Sequence, residues 1–221
     1  MQFILPKVED LKADCDNCQA MCCMAHKHLR SENFPITADK PGGVPCENLE
    51  LLDGFKQCLV YDKRSELNFK VCEVFDCNGA GQFATRFFTE RFSYDWLLDP
   101  NLKDPRNQSN ITKSFRYFYN LMKYIFESVK LKIDYRPDGS YDQMVYDLLQ
   151  VQMVDFFNEL DLALVSAVTS DFEFDPDPFV LKFKYLLRSV GTQAWLIDGV
   201  KNDPDFLDNF LTTILSQLDK G

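Results

Sequence analysis

Apolar residues in the C-terminal part of the chain recur at spacings of three and four, which is the period of an amphipathic α-helix. The first such stretch predicts a helix from Phe83 to Leu98 that ends before Pro100. A second helix follows the polar residues 107–110 and ends at the Arg-Pro-Asp-Gly turn signal of residues 136–139. Its apolar positions lie about one turn apart: Phe115, Phe118, Met122, Ile125, Phe126 and Val129.

Three further helices follow from the same pattern. Ser140, with Gln143 three residues later, resembles a capping box and opens a long helix. Asp-Pro pairs at 177–178 and 203–204 each supply a cap and a first-turn proline for another helix, and Gly191 predicts the end of the first of these two. The C-terminal part is therefore predicted to be a bundle of about five helices, with the aromatic stripes as its core.

The cysteines divide the chain into two parts. All eight lie between Cys15 and Cys77, whereas 15 of the 20 phenylalanines and both tryptophans lie after the last cysteine. This change in composition predicts a cysteine module at residues 1–82 and a helical bundle at residues 83–221. The expected fold class is mainly α, with a small, loop-rich, metal-bound cysteine module packed on the bundle.

Composition and charge narrow the possible functions. The chain has 221 residues, 46% of them hydrophobic, and a formal net charge of −10, which disfavours binding to a nucleic-acid backbone. No stretch approaches the about 20 apolar residues of a membrane span, and the apolar start is too short for a signal peptide. These features predict a cytoplasmic protein, in which clustered cysteines are kept reduced and bind metal more readily than they form disulfides.

The spacing of the cysteines indicates which of them can share a metal. Cys15 and Cys18 form a C-x2-C pair, a spacing that recurs in zinc and iron–sulfur sites. Cys22 lies four residues after Cys18, so on a helix both would share one face. Cys23 lies about 100° round the helix from Cys22, so the adjacent pair serves two centres or leaves one cysteine as packing. The remaining ligands must come from four later cysteines: Cys46, Cys58, Cys72 and Cys77.

Other interpretations of these residues stay open. The cysteines could be buried as small hydrophobic residues, or form a thiol relay for redox chemistry. His26 and His28 are interpreted as surface residues of a basic stretch, with a metal-ligand role as the alternative. The acidic residues 171–177 are interpreted as a solvated loop rather than a cation site, because they lack the glycine and the terminal glutamate of a calcium loop. No catalytic residue is predicted.

Three segments, at residues 11–25, 39–49 and 71–82, resemble the cysteine-cluster family of zinc- or iron-chelating domains, the YkgJ type. The resemblance is closest to the version at the N-terminus of some bacterial pentapeptide-repeat proteins. It implies a metal-ligand role for each of the eight family cysteines: Cys15, Cys18, Cys22, Cys23, Cys46, Cys58, Cys72 and Cys77. No pentapeptide repeat follows in this chain. Domains of the wider family are attached to a flagellin lysine methylase, which would imply an iron–sulfur centre used in methyl transfer.

The hypothesis is a non-enzymatic protein in which one or two structural metal centres stabilise the cysteine module. Zinc is the expected metal and an iron–sulfur cluster is the alternative. The bundle is expected to recognise a protein partner, with no nucleic acid and no membrane span involved. The rival hypothesis is an iron–sulfur redox or methyl-transfer enzyme, or a redox sensor.

Overall fold

A computed structural model describes residues 3–52, 55–92, 105–133, 143–170, 173–203 and 205–218. The protein is mainly helical, as predicted, and its long helices form a bundle. Besides two 3-10 helices of three residues each, Val8–Asp10 and Tyr61–Lys63, the described N-terminal part holds helix α1, a two-stranded antiparallel hairpin that pairs Leu49 with Cys58, and helix α2. Their bounds are Met21–Ala25 for α1, Leu49–Leu52 for β1, Phe55–Cys58 for β2 and Lys70–Val74 for α2.

Five longer helices follow in the described part of the chain. Their bounds are Ala80–Phe92 for α3, Pro105–Ile133 for α4, Gln143–Thr169 for α5, Asp177–Asn202 for α6 and Phe206–Leu218 for α7. Helix α3 therefore begins three residues before the predicted start at Phe83. The predicted end at Leu98, the turn at 136–139 and the cap at Ser140 lie outside the described residues. Of the helices described, none is both long and apolar enough to cross a membrane.

The predicted end of a helix at Gly191 is wrong. Helix α6 continues through Gly191 and ends at Asn202, directly before the Asp-Pro pair at 203–204. A glycine inside a helix costs only about 0.5–1 kcal/mol relative to alanine. Val190 and Ala194, on either side of it, are buried against the rest of the bundle, and this packing outweighs the small propensity cost.

One hydrophobic core joins the N-terminal segment to the bundle. Phe3 and Leu5 are buried in it together with residues of α3, α4, α5 and α6. The Tyr146 hydroxyl donates a hydrogen bond to the Leu5 carbonyl at 2.6 Å, and the Gln150 side-chain amide donates to the Phe3 carbonyl at 3.0 Å. This core crosses the boundary at residues 82 and 83, and the division into two domains there stays a prediction.

The middle of the cysteine module has its own, much smaller cluster. Phe34, Ile36, Cys46 and Phe69 are its buried members, and Cys23 and Cys72 pack against it. The described residues between α1 and α2 therefore hold few buried apolar side chains to stabilise this loop-rich segment.

Candidate metal centre

All eight cysteines line one cavity of about 520 Å³. The cavity is formed by the loops of the cysteine module, by Gly81 at the start of α3 and by Tyr119 from α4. Both histidines, His26 and His28, line it as well. The structure thus brings every residue that the sequence proposed as a metal ligand to one place, from segments far apart in the chain.

Cys18 and Cys77 lie at the buried end of the cavity, beside Gly81. The two cysteines are 8% and 7% exposed. A Cβ atom on Gly81 would lie 2.7 Å from the Sγ of Cys18 and 3.5 Å from the Sγ of Cys77. The absence of a side chain at Gly81 is therefore what lets both sulfurs approach the first turn of α3.

The predicted reason for the convergence of Cys18 and Cys22 is wrong, although both do line the cavity. Cys18 precedes α1 and shares no helix with Cys22. The chain enters α1 through Ala20, whose φ of 52° is left-handed, and the Met21 N–H donates to the Sγ of Cys18 at 3.5 Å. A sharp turn, rather than a helical face, turns Cys18 towards the cavity.

The adjacent cysteines face different surroundings. Cys22 packs against the large core, whereas Cys23 packs against the small cluster that contains Cys46. Hydrogen bonds of Cys23 with the sulfurs of Cys22 and Cys58 raise the pKa of Cys23 and lower that of Cys58 to about 6. The Cys46 N–H also donates to the Cys23 carbonyl at 3.0 Å. Cys23 is therefore grouped with the later cysteines.

Burial dominates the acidity of most of the other thiols. Loss of solvation raises the pKa of Cys18 and of Cys72 to about 12, and it also raises the pKa of Cys46 and Cys77. These side chains are neutral thiols at pH 7 in the absence of metal. Since metals bind thiolates, occupation of the cavity would release protons.

Two cations lie close to the sulfurs. The guanidinium of Arg64 stacks on Tyr61 at 3.6 Å from the ring centroid and donates to the Cys72 carbonyl at 3.4 Å. Lys40 is only 5% exposed, and its ammonium donates to the carbonyls of His26 and Pro41. Such charges offset the negative charge that several thiolates would bring into a partly buried site.

The rim of the cavity is open to solvent at Cys15. This cysteine is exposed, and its thiol hydrogen-bonds the Tyr61 hydroxyl. Cys15 is thus the ligand candidate that a reagent or a partner in solution could reach first.

The interpretation of both histidines as surface residues is wrong for His26. Its ring packs against Phe75 and Tyr119, with centroids 5.1 and 5.4 Å away, and its buried Nε2 has no hydrogen-bond partner in the described part of the protein. Burial lowers the pKa of His26 to about 4, so the ring is neutral at pH 7. His28 stacks on Phe34 with centroids 4.4 Å apart.

Sequence reasoning missed Tyr119. This residue is fully buried in α4, lines the cavity and has a hydroxyl without a partner among the described residues. It was hidden because it sits in the apolar stripe of α4, next to Phe118, where a tyrosine is expected to contribute only its ring. The usable signal is that a buried tyrosine hydroxyl normally has a hydrogen-bond partner.

The chemistry of the residues around the cavity and the volume of the cavity both fit a metal bound by thiolates. Soft thiolates suit zinc and iron–sulfur clusters, and eight cysteine side chains that could supply them surround one space. Within the described ranges, no three side chains of Cys, His, Asp or Glu already stand close enough together to share one ion. Binding would therefore draw the sulfurs inwards.

Comparison with known proteins adds one relative. The chain is 30% identical over 125 residues to the uncharacterized protein YybG of Bacillus subtilis (strain 168). The matched region is 56% of this chain and 41% of that protein, so the chain spans less than half of its relative's length. No family model matches the chain, and no solved structure matches it.

Proposed function

We propose that this is a non-catalytic metal-binding protein whose eight cysteines hold zinc. The observation that carries the proposal is the convergence of all eight on one cavity. The same proposal assigns the protein to the cytoplasm, where thiols stay reduced. It gives the bundle the task of recognising a protein partner, which is supported by exposed apolar side chains on α6 and α7 such as Trp195 and Leu211.

The contacts support a division of the ligands into two centres of four. In the first set, Cys18 and Cys77 lie beside Gly81, and Cys22 packs against the large core. Cys15 joins this set because it forms the C-x2-C pair with Cys18. The second set surrounds the small cluster: Cys23, Cys46, Cys58 and Cys72. Four thiolates per ion is the ligand number of structural zinc sites.

The role of the metal in this proposal is structural. Among the described residues, the small cluster has four buried members, which give little hydrophobic burial for a loop-rich segment of this length. A metal that crosslinks Cys23, Cys46, Cys58 and Cys72 would tie α1, the hairpin and α2 together. Binding free energy then appears as folding free energy of the module.

The test is elemental analysis with a visible spectrum on protein purified without oxygen. Zinc proteins are colourless, whereas iron–sulfur proteins are brown and contain labile sulfide. We expect colourless protein with stoichiometric zinc, and loss of the zinc of the first set in Cys18→Ser and Cys22→Ser. Ser31→Ala is the matched control, because Ser31 lies in the same module but does not line the cavity. Metal-free wild-type protein that cannot be reloaded with zinc or iron would contradict the proposal.

A second candidate is an iron–sulfur redox or methyl-transfer enzyme, or a redox sensor. It is favoured by the cavity of about 520 Å³, a volume typical of small-molecule sites, and by the exposed Cys15 at its rim. Brown protein whose spectrum bleaches reversibly on reduction would support this candidate and overturn the zinc version.

A further inference from the structure

Two polar atoms at the cavity lack partners although they are buried. In the described part of the chain, three buried side-chain polar atoms have no hydrogen-bond partner: His26 Nε2, Tyr119 OH and Ser114 Oγ. The first two line the same cysteine cavity. A buried polar group left unsatisfied costs about 1–3 kcal/mol, so two at one site need an explanation.

The Tyr119 side chain lines the cavity from α4, together with Cys18, Cys22 and Cys77 of the first set. The ring is completely buried, and its pKa is raised first by burial and then by the nearby charges of Cys22, Cys77 and Cys18. A phenol carries its proton at neutral pH, so the hydroxyl can act as a hydrogen-bond donor. His26 packs edge-on against the Tyr119 ring at an interplanar angle of 75° and helps to fix its direction.

We propose that Tyr119 donates a hydrogen bond to a sulfur of the metal centre formed by Cys18, Cys22 and Cys77. The inference rests on the proposed function, because the acceptor would be a sulfur atom of a metal-bound thiolate. Metal-bound sulfurs accept hydrogen bonds from surrounding donors. These donors orient the ligands and spread the negative charge of the sulfurs. Tyr119 is then a positioning residue through which α4 of the bundle contacts the metal site.

The proposal predicts that the Tyr119 hydroxyl has opposite effects on the stability of the metal-free and the metal-bound protein. Without metal, the hydroxyl is an unsatisfied buried group, and its removal should not destabilise the fold. With metal, the hydroxyl stabilises the centre, and its removal should weaken binding. A purely packing role for Tyr119 would give the same change in both states.

The experiment compares Tyr119→Phe with Tyr117→Phe. Tyr117 lies on the same helix, does not line the cavity, and its hydroxyl donates to Glu173 at 3.3 Å, so it is the matched control. Reduced, metal-free protein is titrated with Co²⁺, whose sulfur-to-metal absorption band reports on the ligands, and zinc affinity is measured by competition with a chelator. We expect Tyr119→Phe to shift that band and to weaken zinc binding by about 10-fold or more. Tyr117→Phe should leave both unchanged, and the metal-free Tyr119→Phe protein should melt no lower than wild type.

Each negative outcome has a distinct meaning. Wild-type protein that binds no metal overturns the proposed function and this inference together. Metal binding that is the same in wild type and Tyr119→Phe, in affinity and in spectrum, overturns the inference alone. If the purified centre is iron–sulfur, the readout is its reduction potential, which should fall in Tyr119→Phe because a donor to sulfur stabilises the reduced cluster.

Discussion

The Sγ atoms of Cys22 and Cys23 lie 4.0 Å apart, yet the two side chains pack against different hydrophobic clusters. Cys22 belongs with the core that the bundle shares, and Cys23 with the small cluster around Cys46. A pair of adjacent cysteines is thus the junction between the two groups of sulfurs. This relationship supports two centres over the alternative in which one of the pair only fills space.

Removal of one cysteine from each group tests the division. We expect wild-type protein to hold about two zinc ions, and Cys77→Ser and Cys46→Ser to hold about one each, because each four-thiolate site depends on all of its ligands. The measurement is the ratio of zinc to protein after gel filtration. Cys77→Ser should keep the zinc at the small cluster, and Cys46→Ser should keep the zinc beside Gly81. Complete loss of zinc in both variants would show a single centre instead.

A methyl group at Gly81 should damage the site. The Cβ of Gly81→Ala would lie 2.7 Å from the Sγ of Cys18, which is too close for a real contact. We expect the metal-free protein to lose about 1–3 kcal/mol in its free energy of unfolding, and zinc affinity to fall, since overpacking displaces the sulfur. Chemical denaturation and a zinc competition assay measure the two effects.

The control for this substitution is Gly191→Ala in α6. The nearest atom to a Cβ there is the Lys132 Nζ at 3.7 Å, an ordinary contact. We expect a gain of about 0.5–1 kcal/mol, because alanine is the better helix former, and no change in zinc binding. If Gly81→Ala behaves like Gly191→Ala, the close approach of Cys18 to α3 is not part of the site.

The bundle could be predicted because packing in it demands a continuous apolar face on each helix. Phe118, Met122 and Ile125 are fully buried along α4, at the spacings from which the helix was predicted. The error at Gly191 has a physical cause. The intrinsic cost of glycine in a helix is local and small, whereas the burial of Val190 and Ala194 is a tertiary effect that no local pattern reveals.

The cysteines that line the cavity could be identified from the sequence, whereas the residues that surround them could not. Density and spacing alone single out the eight cysteines. The turn at Ala20 that directs Cys18, and the unpartnered hydroxyl of Tyr119, arise from packing between segments far apart in sequence. Tyr119 lies in the apolar stripe of α4. Its ring fits the helical pattern of apolar residues, and nothing in that pattern indicates a role for its hydroxyl.

The partly buried ring of His26 should make the metal-free protein sensitive to acid. Its pKa is lowered from 6.5 to about 4 by burial, so as the pH falls the unfolded chain binds the proton before the folded protein does. The stability that the neutral ring contributes is fully present above about pH 6.5 and is lost towards pH 4. The expected loss is about 1–2 kcal/mol once the partial exposure of the ring is taken into account.

The measurement for His26 is urea denaturation of reduced, metal-free protein between pH 7 and pH 4. His26→Gln should show a shallower decline in stability than wild type over this range. His28→Gln is the comparison. Burial also lowers the pKa of His28, but its ring stacks on Phe34 rather than on Tyr119. Parallel curves for wild type and His26→Gln would contradict the assignment of a buried neutral ring.

Removal of metal should unfold only part of the cysteine module. Phe3 and Leu5 are held in the large core by Tyr146 and Gln150, independently of the cysteines. In the described residues between α1 and α2, the buried apolar side chains are the four of the small cluster, so this segment depends on that cluster and on the metal. After chelation, we therefore expect amide hydrogen exchange to accelerate in residues 27–75 and to stay slow in α4 and α5.

Residues 3–11 should remain protected with the bundle. This result would place the boundary of independent folding after α1 rather than at residue 82. Loss of protection throughout residues 3–82 would instead support the domain division predicted from composition.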